Sequence, residues 1–169
     1  MKHKVIDNFL DEAYFDSLVT LFTDKKGGER VDRCGWIFHT NISHQNIVED
    51  NLFYMVHMLY DEDGPSSEHY VKLIPLLGKL DTKSLIRIKA NLYPNTEILH
   101  EHPMHTDYDF SHSGAILSLN TCDGYTKLKD GTKINSVANR ILLFDASNEH
   151  CSTNATNVSA RINININYF

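Results

Sequence analysis

Hydrophobic residues change their spacing about half-way along the chain. Before Leu85 they recur every three or four positions, which is the spacing of one face of an amphipathic helix. This pattern predicts a helix from near Asp11 to Phe22, a second over residues 45–60 and a third over residues 68–80, which Pro75 would kink or shorten. Residues 34–40 are predicted to form a short strand, and residues 61–67, DEDGPSS, a loop.

From Leu85 onward the apolar and polar residues alternate, which predicts β-strands. The segments LIRIKANLY and RINININYF each have one apolar and one polar face. In the second segment the polar face consists of Arg161, Asn163, Asn165 and Asn167. Such a face is either solvated or lines the mouth of a barrel. The spacing of eleven residues between His150 and Arg161 favours the barrel. A hairpin with its turn at Asp130-Gly131 and a buried strand NRILLF complete the pattern.

Helices followed by many short strands predict an α+β fold, in which N-terminal helices pack on one sheet of a double-sheet barrel, or jelly roll. A length of 169 residues predicts a single domain over residues 1–169. Within it, we expect residues 1–83 to be a mainly helical support region and residues 84–169 to be the jelly-roll catalytic core.

The composition narrows the possible locations and partners. A formal net charge of −6 argues against binding to duplex nucleic acid, which requires a basic surface. No apolar run approaches the roughly 20 residues that span a bilayer, and the N-terminus lacks the apolar stretch of a signal peptide. The three cysteines lack CxxC spacing and indicate reduced thiols. We therefore expect a cytoplasmic protein that has no membrane segment.

The sequence His105-Thr106-Asp107 is a candidate metal-binding motif. On an extended segment, residues two apart point to the same side, so both side chains can chelate one ion. His150 can supply a third ligand, and two histidines with one carboxylate form the facial triad of non-haem Fe(II) oxygenases. Taken alone, the His-x-Asp pair is also compatible with a solvated polar loop. Arg161 lies eleven residues beyond His150 and is a candidate for bidentate binding of a carboxylate.

These motifs stand in an order that resembles the Fe(II)/2-oxoglutarate-dependent oxygenases, in particular their small prolyl-4-hydroxylase-like branch. The resemblance covers residues 85–169 and consists of LIRIKANLYPN, EHPMHTDYDF, AILSLNTCDGYTKLKDGTKI, NRILLFDASNEHCST and SARINININYF. Prolyl 4-hydroxylases usually carry lysine on the closing strand, where this chain has Arg161, and other members of the superfamily carry arginine there.

The resemblance implies a double-stranded β-helix core that binds Fe(II) through His105, Asp107 and His150. Arg161, together with Tyr93, would hold the C5 carboxylate of 2-oxoglutarate, with a core or rim aromatic as the alternative role of Tyr93. Asn91 shares the strand face of Tyr93 and is a candidate contact for the keto acid or the substrate. The implied reaction consumes O2 and 2-oxoglutarate, releases succinate and CO2 and hydroxylates a C–H bond of a substrate, with ascorbate as a further cofactor. Related halogenases lack the carboxylate ligand, so Asp107 argues against halogenation.

The substrate stays open between a peptide, with peptidyl proline as the family analogy, and a small molecule such as a free amino acid, a nucleotide or another metabolite. A different class of function is also open, namely a jelly-roll protein that binds metal or senses it without turnover. Three further histidines flank the motif, namely His100, His102 and His112. They are expected to be exposed loop residues, with the alternative that one of them contacts the substrate or supports a metal ligand.

Overall fold

The structure, a computed structural model, describes residues 2–23, 34–40 and 52–169. Its helices are α1 (Glu12–Phe22), a 3-10 helix (Glu68–Leu73) and α2 (Ile74–Leu80). Its strands are β1 (His3–Ile6), β2 (Ile37–His39), β3 (Tyr54–Asp61), β4 (Gly64–Pro65), β5 (Leu85–Pro94), β6 (Ser113–Ser118), β7 (Tyr125–Leu128), β8 (Lys133–Asn135), β9 (Ile141–Asp145), β10 (His150–Ser152) and β11 (Ala160–Tyr168).

Two of the three predicted helices are present and have recognisable starts. The side chain of Asp11 accepts hydrogen bonds from the backbone N–H groups of Ala13 and Tyr14, which caps α1 where the sequence predicted it to begin. Pro75 lies in the first turn of α2, where a missing N–H breaks no helical hydrogen bond. The third predicted helix is consequently divided at this proline into a 3-10 helix and α2.

The strands form two antiparallel sheets. The larger sheet has the order β1-β9-β6-β11-β5-β3-β2, with β4 paired to β3, and the smaller has the order β10-β7-β8. The hairpin of β7 and β8 turns at Gly131, which has a φ of 87°, and this confirms the predicted turn. A sheet-rich, two-sheet architecture of this kind agrees with the predicted jelly-roll core.

One apolar cluster joins the helices to the larger sheet. It contains Leu18 of α1, Leu76 of α2, Ile88 of β5 and Ile164 of β11, all fully buried. A second, smaller cluster lies between the sheets, where Leu128 of the smaller sheet packs with residues of β6 and β9. The two sheets therefore share an apolar interface between β6 and β9 on one side and β7 and β8 on the other. Polar residues of β5 and β11 line a separate cavity.

The predicted helix over residues 45–60 is wrong in its described part, because Tyr54–Asp61 is strand β3. Residues 45–51 lie outside the described residues. Leu52, Met55, Val56 and Leu59 have helical spacing, but Tyr54 and Val56 also alternate, and pairing of β3 with β5 decides the outcome. Strands β1–β4 all join the larger sheet, so the described part of residues 1–83 contributes strands as well as helices. No helix in the described part of the chain is long and apolar enough to cross a membrane.

Candidate metal centre and anion pocket

The three predicted metal ligands lie together between the two sheets. His105, in the segment that connects β5 to β6, forms a backbone bridge to His150, the first residue of β10, with two N–H···O distances of 2.9 Å. Asp107 follows two residues later, and one ligand atom from each of the three side chains lies within 4.8 Å of the others. Two imidazoles and a carboxylate at this separation form a donor set that suits a divalent transition metal.

Backbone carbonyls orient both imidazole rings. Nδ1 of His105 lies 3.2 Å from the carbonyl oxygen of Pro103, and Nδ1 of His150 lies 3.0 Å from that of Asn148. Since a carbonyl oxygen only accepts hydrogen bonds, the proton of each neutral ring is on Nδ1. The lone pair is then on Nε2 in both residues, which is the arrangement that a metal-binding histidine requires.

Asp107 is buried and accepts three hydrogen bonds. Arg87 donates to Oδ1 at 3.0 Å, whereas Asn167 and Asn165 donate to Oδ2 at 2.9 and 3.3 Å. Burial would raise the pKa of this carboxyl, but His150, Arg87, Lys89 and the Asn167 amide outweigh it and hold the pKa below its usual range. Asp107 is therefore a carboxylate at neutral pH.

His105 is neutral at the same pH. Burial, and then the nearby His150, lower the pKa of His105 to about 4. A neutral imidazole and an ionised carboxylate are the protonation states in which such residues bind metals, so His105 and Asp107 need no proton loss before binding. The residues present thus fit a divalent ion such as Fe(II).

The histidines that flank the motif are not the exposed loop residues that the sequence predicted. His112 is buried, and its Nε2 lies 3.2 Å from Nδ2 of Asn167, the amide that also donates to Asp107. His102 is buried with its ring centroid 5.1 Å from that of Tyr93, and His100 is half-buried. His102 and His112 are therefore enclosed by the fold, whereas His100 is only partly enclosed.

Arg161 is the largest fully buried side chain of the described residues, with 1 % of its surface exposed. Its guanidinium donates to Oγ of Ser152, to the carbonyl oxygen of Thr153 at 3.0 Å and to Oγ1 of Thr126 at 3.0 Å. All three acceptors are neutral, and Arg161 forms no ion pair with a carboxylate within residues 2–23, 34–40 and 52–169. A buried cation without a counter-charge is costly, which indicates that an anionic ligand belongs beside it.

Tyr93 and Asn91 lie on the face of β5 that lines the pocket. Tyr93 is opposite Arg161 in the β5–β11 register, and the guanidinium carbon is 5.8 Å from its ring centroid. Asn91 donates to Oδ1 of Asn163 at 3.0 Å, and its own buried Oδ1 has no hydrogen-bond partner in the described part of the chain. A single cavity is lined by six of the residues named above, which are Asn91, Tyr93, His105, Thr126, His150 and Ser152.

Gly124 makes room for the arginine. A Cβ on this residue would collide with the carbonyl oxygen of Asn154 and would lie 2.7 Å from Cδ of Arg161. The sequence predicted no role for this glycine. Close approach of backbone to a buried side chain is a further reason for glycine at this position.

The structure brings together all six residues that the sequence proposed for the site, and it adds others. Arg87, Asn165 and Asn167 surround Asp107, and Thr126 and Ser152 bind Arg161. A signal for the first three was available, because Arg87 shares the parity of Tyr93 on β5 and both asparagines share the parity of Arg161 on β11.

Comparison with known proteins places this geometry in a recognised fold. No family model matches the chain, and no curated protein is significantly similar to it in sequence. A 2OG-Fe(II) oxygenase family structure from Burkholderia pseudomallei matches with a TM-score of 0.71, at 12% identity over 98% of this chain and 84% of its own. The chain has the 2-oxoglutarate–Fe(II) oxygenase fold.

Two further structures agree with this match. A prolyl-4-hydroxylase from Pseudomonas putida has a TM-score of 0.64 and 14% identity, and the match covers 98% of this chain and 91% of its own. HygX from Streptomyces hygroscopicus, with nickel and 2-oxoglutarate bound, has a TM-score of 0.60 and 10% identity, with 98% and 82% covered. At these identities the similarity extends to the fold alone, and it confirms the resemblance found in the sequence at that level.

Proposed function

We propose that this protein is an Fe(II)- and 2-oxoglutarate-dependent dioxygenase that hydroxylates a C–H bond of its substrate. The observation that carries the proposal is the buried Arg161, which has no acidic partner in the described residues and donates hydrogen bonds to Ser152 and Thr126 of the cavity that His105 and His150 also line. 2-Oxoglutarate has a carboxylate at one end and a chelating 2-oxo acid at the other. A cavity whose lining includes the hydrogen-bond partners of a buried arginine together with two candidate metal-binding histidines is complementary to both ends.

In this proposal His105, Asp107 and His150 hold the iron through two Nε2 atoms and a carboxylate oxygen. Bound iron supplies the oxidising chemistry, with O2 and 2-oxoglutarate as reactants and succinate, CO2 and hydroxylated product as outcomes. The protein fixes the ligands and keeps them in their binding protonation states. Arg87 and Asn167 contribute by holding Asp107 in one orientation.

Arg161 and Tyr93 are the proposed binding residues for the C5 carboxylate. Burial raises the pKa of Tyr93, so its phenol keeps its proton and can donate a hydrogen bond. The Arg161 guanidinium can donate two parallel hydrogen bonds to a carboxylate if the ligand displaces a neutral partner such as Ser152. Asn91 can offer the second N–H of its Nδ2 to the same molecule, whose carboxylate and keto oxygens only accept hydrogen bonds.

The primary substrate is proposed more broadly, as a peptide or a small molecule. Two observations favour a peptide: the resemblance to the prolyl-4-hydroxylase-like branch and the structural similarity to a protein named as a prolyl-4-hydroxylase. Ascorbate is proposed as an accessory reductant on the resemblance alone. The six site residues and the single-domain organisation over residues 1–169 are likewise proposals.

The test is release of succinate from 2-oxoglutarate by the Fe(II)-loaded protein, with and without pools of peptides and metabolites. We expect one divalent ion per chain, and we expect His105→Ala and Asp107→Ala to abolish turnover. His100→Ala is the matched control, because His100 is half-buried, precedes His105 by five residues and is not one of the three candidate ligands. Metal binding without succinate release under every condition would contradict the proposal and favour a metal-binding or sensor protein.

A further inference from the structure

Lys89 is a cationic residue of the proposed active site, and the reaction described so far gives it no role. It lies on β5 between Arg87 and Asn91, is half-buried and lines the same cavity as His105 and His150. Its Nζ is 5.8 Å from the ring centroid of Tyr54. In the described part of the chain Lys89 forms no ion pair with a carboxylate.

The charges around the cavity do not balance once the proposed ligands are counted. A divalent metal, Arg161, Arg87 and Lys89 are positive, whereas Asp107 and the two carboxylates of 2-oxoglutarate are negative, which leaves two positive charges. Asp61 acts on Lys89 from a greater distance, and counting it still leaves one positive charge. Like charges in a poorly solvated cavity repel each other strongly, so a further anion would stabilise the loaded site.

Hydrogen-bonding groups beside Lys89 support this view. Asn165 is the β11 residue opposite Lys89 in the sheet register and is buried. Its Nδ2 donates to Asp107, and its Oδ1 has no partner in residues 2–23, 34–40 and 52–169. The cavity thus offers a cation and, next to it, an acceptor for a hydroxyl or amine of a ligand.

We propose that the primary substrate carries an anionic group, a carboxylate or a phosphate, and that Lys89 binds this group beside the metal. The inference rests on the proposed function and restricts its substrate to acids. From the wider range of peptides and metabolites it selects those that carry a carboxylate or a phosphate, such as acidic peptides, amino acids, hydroxy acids and phosphate esters. The 2-oxo acid end of 2-oxoglutarate could supply the same chemistry, so the experiment must separate the two sources.

The experiment measures binding by calorimetry to protein loaded with Mn(II) and 2-oxoglutarate under anaerobic conditions. Its ligands are matched pairs: amino acids with their primary amides, and nucleoside monophosphates with their nucleosides. We expect at least one anionic member to bind the wild type about ten- to a hundredfold more tightly than its neutral partner, as for loss of a charge-assisted hydrogen bond. Lys89→Gln should remove this preference, and Lys89→Arg should retain it.

Lys83→Gln is the control, since Lys83 is 72% exposed and paired with Asp81 on the surface. The inference is wrong if no anionic member binds better than its partner, or if Lys89→Gln keeps the preference at an unchanged melting temperature. It is also wrong if Lys89→Gln weakens 2-oxoglutarate instead of the substrate acid, because Lys89 would then serve the cosubstrate. Failure of the wild type to bind 2-oxoglutarate is measured before any pair is added, and it contradicts the proposed function itself.

Discussion

Both faces of β11 are buried, but one packs in the apolar core and the other faces the candidate site. Ile162, Ile164 and Ile166 belong to the apolar cluster that joins the larger sheet to the helices. The opposite face consists of Arg161, Asn163, Asn165 and Asn167, and it contacts the candidate metal ligands and cosubstrate residues. One strand with a period of two thereby separates stability from chemistry, because neighbouring residues project to opposite sides of a sheet.

The two faces should also differ in what they contribute to the free energy of unfolding. Burial of an isoleucine side chain stabilises a fold by roughly 1.5–3 kcal/mol. A typical hydrogen bond contributes only about 0.5–1.5 kcal/mol net, and an unpaired buried polar atom subtracts a similar amount or more. Nε of Arg161 and Oδ1 of Asn165 are such atoms within the described residues. We therefore expect the polar face to be important for binding and nearly neutral for stability.

The largest expected effect comes from the apolar face. Ile164→Ala deletes a side chain with 0% exposure and should lower the free energy of unfolding by about 2–5 kcal/mol, because the packed surroundings collapse only in part. Urea denaturation measures this change. Asn163→Ala, on the opposite face and one residue away, is the matched comparison and should cost less. Equal losses would contradict the division between the two faces.

The next effect is on the polar face and concerns binding. Arg161→Ala should weaken 2-oxoglutarate binding by about ten- to a hundredfold, since one charge-assisted bidentate contact is worth roughly 1.5–3 kcal/mol. Metal affinity should change little, because Arg161 contacts none of the three metal ligands. Calorimetry on Mn(II)-loaded protein measures both affinities.

Arg140→Ala is the control for that variant. Arg140 binds the carboxylate of Asp7 through Nε and Nη2 on the surface. It therefore makes an arginine–carboxylate contact that is not part of the cavity lining. Its loss should leave 2-oxoglutarate binding unchanged. If Arg161→Ala also left it unchanged, the role of Arg161 as the cosubstrate residue would be refuted.

A smaller effect should distinguish the asparagines of the polar face from each other. Asn167 donates to Asp107 at 2.9 Å, whereas Asn163 accepts from Asn91 and does not reach a metal ligand. Asn167→Ala should reduce metal affinity by about tenfold, the lower end of the range for residues that orient a ligand. Asn163→Ala should leave metal affinity unchanged, and titration with Mn(II) or Zn(II) compares the two. A similar loss in both would mean that the asparagine face acts only as a whole.

The local sequence correctly predicted the secondary structure of segments in which hydrophobic residues follow a single spacing, either helical or alternating. The alternation in β5 and β11 predicted both strands, and Asp11 predicted the start of α1. Residues 54–60 were misassigned because Leu52, Met55, Val56 and Leu59 fit one face of a helix, while the pairing of β3 with β5 is a long-range contact. An isolated stretch of sequence has no access to that partner.

The same distinction applies to the site. His105 and Asp107 were visible as a motif, and the family resemblance linked them to His150 and Arg161. The parity of Arg87 and Asn167 showed which strand face they share, but their joint contact with Asp107 was not visible, because they are 80 residues apart and meet only after β5 and β11 pair. The sequence reveals which groups can do chemistry more readily than it reveals which groups hold them in place.

The last expected effect is a pH dependence that should arise at His105, in the cavity that the polar face of β11 also lines. The pKa of His105 is about 4 in the folded protein and near 6.5 when unfolded, so between these values only the unfolded chain binds the proton. The metal-free protein should therefore lose stability as pH falls from about 6.5 to about 4, by at most about 1.4 kcal/mol per pH unit from this residue. Asp107, whose folded pKa is depressed, adds stability that is lost only at lower pH.

Urea denaturation of the metal-free wild type and of His105→Gln, at pH 7 and pH 5, isolates this contribution. The difference between the two proteins removes the dependence from other groups, such as His57, whose pKa burial also lowers. The wild type should lose more stability than His105→Gln over this interval, whereas Ile164→Ala should keep the full wild-type dependence. Identical slopes in the wild type and His105→Gln would mean that His105 is solvated and protonates freely, so the site would not keep it ready for a metal.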